Sequence, residues 1–136
     1  MAVQVLEPSL TQLRHHMAQN NLFSSHKLHL TVISTRSDVH VEHDQQIHHA
    51  QFAGYDVFQS RSGRAVLVAV LDAPTLVARH NFIVERTGVK HDFHDYRPHL
   101  TLCYNWTGEV QDLDIIDFPL LIGKEYSNPQ DIIWDL

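Results

Sequence analysis

The sequence predicts an α+β domain made of two strand-helix-strand lobes, and three observations predict it. Two stretches, Lys27-Leu28-His29-Leu30-Thr31-Val32-Ile33-Ser34 and Arg97-Pro98-His99-Leu100-Thr101-Leu102-Cys103-Tyr104, are runs of β-favouring residues that each carry a histidine and a threonine two positions apart. Each stretch follows a segment of helical period, which itself follows a strand. The two units also align. At an offset of 65, Val3, Val5, Leu6, Glu7, Arg14 and His15 fall on Val68, Val70, Leu71, Asp72, Arg79 and His80, and at an offset of 70 His29-Leu30-Thr31 falls on His99-Leu100-Thr101. A duplication of this kind sets the halves about a pseudo-twofold axis, with both His-x-Thr strands facing a common cleft.

In chain order, Ala2 to Leu6 alternates as a short strand does. Pro8 and Ser9 open a helix, with Ser9 as its cap, and Leu10, Leu13 and Met17 share one side of it. It should stop near Asn20-Asn21. Lys27 to Thr35 is the first His-Leu-Thr strand, and the polar, aperiodic residues 36–49 read as a loop. Gln51 to Gln59 and Ala65 to Leu71 are two strands joined by a turn at Ser60-Arg61-Ser62-Gly63. Asp72-Ala73-Pro74-Thr75 opens a second helix, Leu76 to about Arg86, with Gly88 at its C-terminal end. The polar stretch Lys90 to Asp95 leads into the second His-Leu-Thr strand. Trp106 to Glu109 then makes a turn, Phe118 to Tyr126 a strand, and Asp131 to Trp134 a short final one.

At 136 residues with 43% hydrophobic content, the chain suits a single folded domain over residues 1–136. No apolar run approaches the roughly 20 residues that a membrane helix needs. The first residues, Met1 to Pro8, lack the basic and long apolar segments of a secretory signal. A lone Cys103 makes no internal disulfide, which suits a reducing compartment, so cytoplasm is the expected location. A net charge of −6 argues against wrapping a long nucleic acid but leaves room for a small phosphorylated ligand in a locally positive pocket. Most of the 12 histidines are expected on a hydrated surface.

A strand sends residues i and i+2 to one face. His29 and Thr31 should thus point away from Leu28, Leu30 and Val32, and His99 and Thr101 away from Leu100 and Leu102. Two imidazoles and two hydroxyls on one polar face make a catalytic arrangement without a metal. An imidazole with an ordinary pKa near 6.5 can serve as base or as acid, so small differences in environment can keep one ring neutral and the other protonated. Because the site is pseudo-symmetric, the sequence leaves open which histidine is acid and which is base.

The paired His29-Leu30-Thr31-Val32 and His99-Leu100-Thr101-Leu102, with Tyr96 and Pro98 ahead of the second, resemble the two H-x-[ST]-x motifs of the 2H phosphoesterase superfamily. The resemblance implies a bilobal fold with antiparallel sheets around a central cleft. It also implies activity on 2′,3′-cyclic phosphates, RNA ends and related phosphodiesters. The length and the closing stretch from Leu121-Ile122-Gly123-Lys124-Glu125 to Trp134 resemble more specifically the phage anti-CBASS nucleases, which cleave the cyclic oligonucleotide messengers of bacterial immunity. That implies His29, Thr31, His99 and Thr101 as catalytic residues, no metal or other cofactor, and a cyclic dinucleotide or trinucleotide substrate, with action in the host cytoplasm. Trp134 matches the tryptophan of that tail, which stacks on a base, and Glu125 its acidic residue. Tyr96 joins them as a substrate-binding candidate. The runner-up substrate is RNA bearing a 2′,3′-cyclic or 3′ end.

Two rival readings come from other classes. His91 with His94, and His40 with His43, offer histidines at zinc-like spacing, though with neither a helical HExxH pattern nor a cysteine cluster. A non-catalytic module that sequesters a nucleotide is the other, and two intact His-Thr pairs argue against it.

Overall fold

Among the described residues of a computed structural model, which are 1–23, 27–33, 41–60, 62–88 and 96–127, six strands and two α-helices follow one another. They are β1 (Ala2–Val5), α1 (Ser9–Gln19), β2 (His29–Thr31), β3 (His48–Gln59), β4 (Ala65–Asp72), α2 (Pro74–Thr87), β5 (His99–Tyr104) and β6 (Leu120–Tyr126), with a 3₁₀ turn at Val110–Asp112. All strand pairs are antiparallel, and the strands form one sheet in the order β2-β1-β6-β3-β4-β5. The protein is therefore α+β, as its sequence predicts. The sheet curls, so that its two outermost strands, β2 and β5, come within 8 Å between Cα atoms. Those are the two strands that carry the His-x-Thr motifs.

The curl is made possible by β3, which is long enough to serve two partners. His48, His49 and Ala50 pair with Ile122, Leu121 and Leu120 of β6, and Gln51 to Gln59 pair with β4. A register shift between Phe52 and Gly54 falls just beyond that hand-over. Such a bulge bends a strand and increases its twist. Gly54 accepts the bend with φ at 142°, a conformation that L side chains rarely adopt.

The core is built from alternate strand residues and the buried faces of both helices. Leu30, Val32, Leu67, Ala69, Leu100, Leu102, Leu120 and Ile122 are fully buried, with Leu13 from α1 and Leu76 and Ile83 from α2. The alternation expected in both motifs is thus present on its apolar side. The end of α2 is also as expected, with Gly88 in the left-handed region at φ 66° and its N–H on the Val84 carbonyl at 2.9 Å.

Several boundaries and local devices differ from the sequence expectation. Ser9 is not a helix cap. Pro8 holds the cap position without a side-chain bond, and the Glu7 carboxylate instead accepts the Thr11 N–H at 2.8 Å. The Ser9 hydroxyl is turned inward, donating to the Pro119 carbonyl at 3.2 Å and accepting the Leu121 N–H at 2.9 Å, so it ties α1 to the start of β6. β6 begins at Leu120 rather than Phe118, because Pro119 has no N–H to give the ladder. β3 begins at His48, inside the stretch read as loop, because His48 is buried against Thr75 despite its polarity. The ladder of β2 stops at Thr31, and Val32 and Ile33 donate instead to the Met1 carbonyl. The internal alignment moves by one position in the first strands: Gln4 pairs with His29 as Val70 pairs with His99. The aligned helix histidines also part company, His15 being exposed and His80 buried. The strand expected at Asp131 to Trp134 lies outside the described residues.

Candidate active site

Both motif histidines are held by the same local device. His29 Nδ1 donates to the Lys27 carbonyl at 2.9 Å, and His99 Nδ1 donates to the Arg97 carbonyl at 2.7 Å. A carbonyl only accepts, so the proton sits on Nδ1 in each ring, and Nε2 is left as the nitrogen that gains or loses a proton. His29 is buried and His99 partly so. The Phe58 ring meets His99 edge-on, with centroids 5.0 Å apart. Burial holds the His99 pKa below the ordinary histidine value; the Arg97 carbonyl works against that shift and the Arg97 charge adds to it. Thr31 and Thr101 are each two residues on from their histidine and half-buried, on strand positions that share its face.

A chain of short contacts joins the motifs. The Tyr96 hydroxyl, three residues ahead of His99, donates to the carbonyl of Thr31 at 2.7 Å. Between Tyr96 and His99, Arg97 offers its carbonyl to His99, and the Pro98 carbonyl accepts the Leu71 N–H at 2.9 Å. The Tyr96 ring stacks on His80 of α2, with centroids 4.0 Å apart and planes 5° from parallel. His80 Nδ1 in turn donates to the Val32 carbonyl at 2.6 Å. Sequence reasoning missed His80 as a structural neighbour of the site. A histidine on a helix is an ordinary surface residue by pattern, and nothing local marks it as facing a strand nearly 50 residues away.

The remaining candidates are placed as follows. Glu125 is buried, and its carboxylate meets Arg79 through both oxygens, Oε2 to Nε at 2.8 Å and Oε1 to an Nη at 2.9 Å. Oε1 also accepts the Asp44 N–H at 2.7 Å, and Arg79 reaches the Glu42 carbonyl at 2.8 Å. These bonds hold the Arg79 pKa above its ordinary value, with the Glu125 hydrogen bond as the largest cause. Lys27 lies over the Tyr126 ring at 4.4 Å, and Arg97 faces Asp56 at 3.5 Å on the surface. Cys103 is half-buried, and burial pushes its thiol pKa up, which is the opposite of an activated nucleophile. Trp134, Phe93 and the zinc-spaced His40, His91 and His94 lie outside the described residues. His43 contacts Ser127 at 3.3 Å.

What fold and site together define is a class of small α+β protein in which two His-x-Thr strands, at opposite margins of one curled sheet, are drawn to each other. Comparison with known families makes this specific. The chain belongs to the family described as "Anti-CBASS protein Acb1", which it matches over residues 1–136. The anti-CBASS protein Acb1 of Salmonella phage S16 is 34% identical over 126 residues, covering 92% of this chain and 81% of that protein. Its counterpart in Enterobacteria phage T4 is 30% identical, with 93% of this chain and 82% of that protein covered. The protein of the same name from Vibrio phage KVP40 is 29% identical over 125 residues, with 92% and 80% covered.

Proposed function

We propose that the protein opens the 3′-5′ phosphodiester bonds of cyclic oligonucleotide signals, without a metal, on a bilobal 2H-phosphoesterase fold, and so acts against CBASS immunity as its relatives' names state. The observation that carries the reading is the matched pair of Nδ1–carbonyl tethers on two strands within 8 Å of each other, which makes Nε2 the nitrogen at which each ring exchanges a proton. Neutral Nε2 of one histidine takes the proton of the attacking hydroxyl, from water or from a ribose 2′-OH, as the new P–O bond forms. Nε2–H of the other gives its proton to the leaving oxygen as the old P–O bond breaks. Burial favours the neutral ring at His99, which suits the base. Thr31 and Thr101 donate to the non-bridging oxygens and hold phosphorus between the rings.

In this reading Trp134 stacks on a base from the chain's closing segment. Glu125 serves the substrate less directly, by fixing through Arg79 the strand that leads into that segment. The host cytoplasm is the expected place of action. The test is turnover of a panel of cyclic dinucleotides, cyclic trinucleotides and 2′,3′-cyclic mononucleotides in EDTA. His29→Ala and His99→Ala should each lose about 10²- to 10⁴-fold in kcat on the preferred substrate. Full turnover by either variant, or abolition of activity by the chelator, would overturn the mechanism. Preference for the 2′,3′-cyclic mononucleotides would move the protein to the RNA-end-processing members of the superfamily.

A further inference from the structure

We infer that Tyr96 and His80 form a positioning pair that sets the distance between the two site histidines. The inference rests on the acid-base reading above and adds two residues to it. β2 has three ladder residues, partnered on one side by β1, and it forms one margin of the sheet. A short marginal strand is held weakly by its own ladder. Two side chains from the other half of the molecule act on its end: the Tyr96 hydroxyl on the Thr31 carbonyl and His80 Nδ1 on the Val32 carbonyl, at 2.7 and 2.6 Å. Both bonds fall just after His29, on successive residues that begin with the motif threonine.

The other end of the connection is equally short. Tyr96 and His99 are separated by Arg97 and Pro98. Proline fixes its own φ, its carbonyl is bonded to Leu71, and the Arg97 carbonyl is bonded to the His99 ring. Little freedom remains between the Tyr96 hydroxyl and the His99 imidazole. The flat stack of His80 on Tyr96 fixes the phenol plane, and thereby the direction in which its O–H points. Proton transfer at one phosphorus is sensitive to the placement of both rings, and a displacement of about 1 Å can cost on the order of 10²-fold in rate. Tyr96 spends its hydroxyl on backbone, so its contribution to turnover comes through His29 and His99.

The experiment uses Tyr96→Phe, which keeps the ring and the stack and removes only the hydroxyl. It is paired with His80→Leu, which removes the donor, and His80→Asn, which restores a donor near the Nδ1 position. Two readouts are taken: the ring signals of His29 and His99 by NMR in the substrate-free protein, and kcat and KM on the preferred cyclic oligonucleotide. Tyr96→Phe and His80→Leu should shift the signals of both rings and lower kcat by about 10- to 100-fold, with KM within about threefold. His80→Asn, which restores the bond to Val32 but not the stack, should recover part of the loss. The double variant should fall no further than the worse single one, since both act on one geometry. Unmoved ring signals, or a loss confined to KM, would overturn the inference. Failure of the acid-base reading has a different signature, with the ring signals responding to Tyr96→Phe while His29→Ala retains turnover.

Discussion

With Nδ1 of each motif histidine committed to a carbonyl two residues back, protonation at this site is a matter of Nε2 alone. Burial, to which the Phe58 ring packed against it contributes, disfavours the charged form of His99, and the Arg97 charge adds to this. If His99 is the base, activity falls on the acid side as that ring becomes protonated. The acid limb of the kcat/KM profile should then lie below the ordinary value of about 6.5. Phe58→Ala admits water to the ring and should move that limb upward, towards the ordinary value. A pH–rate profile of the two proteins checks this, and a limb that stays in place would remove Phe58 from the account. At this scale the sequence was informative about facing and silent about tethering. The two-residue period placed His29 with Thr31 and His99 with Thr101, because strand parity is a local property. The tie from Tyr96 to Thr31 and the stack on His80 depend on how a helix and a strand meet, and no local pattern encodes that.

Elements here are joined by a few buried polar anchors as well as by apolar packing. The Arg79–Glu125 pair links α2 to β6 and, through Glu42 and Asp44, to residues 41–47. Glu125→Ala leaves a guanidinium largely out of water without its partner and should cost about 3–5 kcal/mol in urea unfolding. A loss under 1 kcal/mol would show that the pair is dispensable. Ser9→Ala deletes one donor and one acceptor between α1 and β6, and about 1–3 kcal/mol is expected by the same measurement. The strands and helices themselves were legible because their apolar residues recur at period 2 or 3.6. At two of the places where the expectation failed, a buried polar side chain was responsible. His48 extends β3 into a polar stretch, and Ser9, whose composition suggests a cap, is an internal brace. Sequence patterns treat both residues as surface, since burial of a polar group depends on a partner far along the chain.

The molecule as a whole carries several histidines whose neutral form is favoured by burial. For His16, His48 and His99 the folded pKa lies below the ordinary value, in each case chiefly through desolvation. The unfolded chain therefore binds more protons as the pH falls through about 6.5, and folding stability declines from there downward. Glu7 is lowered too, chiefly by the hydrogen bond from the Thr11 hydroxyl, but for a carboxylate that shift favours the folded state, and its contribution is lost only below the ordinary value of 4.5. Between pH 7 and 5, then, the histidines govern the slope, and Tm should drop by several degrees. His48→Leu removes one titrating group with an unpartnered Nε2 among the described residues and should flatten the curve. A Tm that rises on acidification would contradict the burial of these rings. At the same scale, β1 lies between β2 and β6, with Ala2 opposite Tyr126. During synthesis β1 gains its second neighbour only once β6 has been made, so the molecule closes its sheet late. Contacts between such distant parts of a chain are slow to form. Until β6 emerges from the ribosome no strand joins β1 and β2 to β3, β4 and β5, so the two His-x-Thr strands come to share one sheet only after the last of the described strands is made.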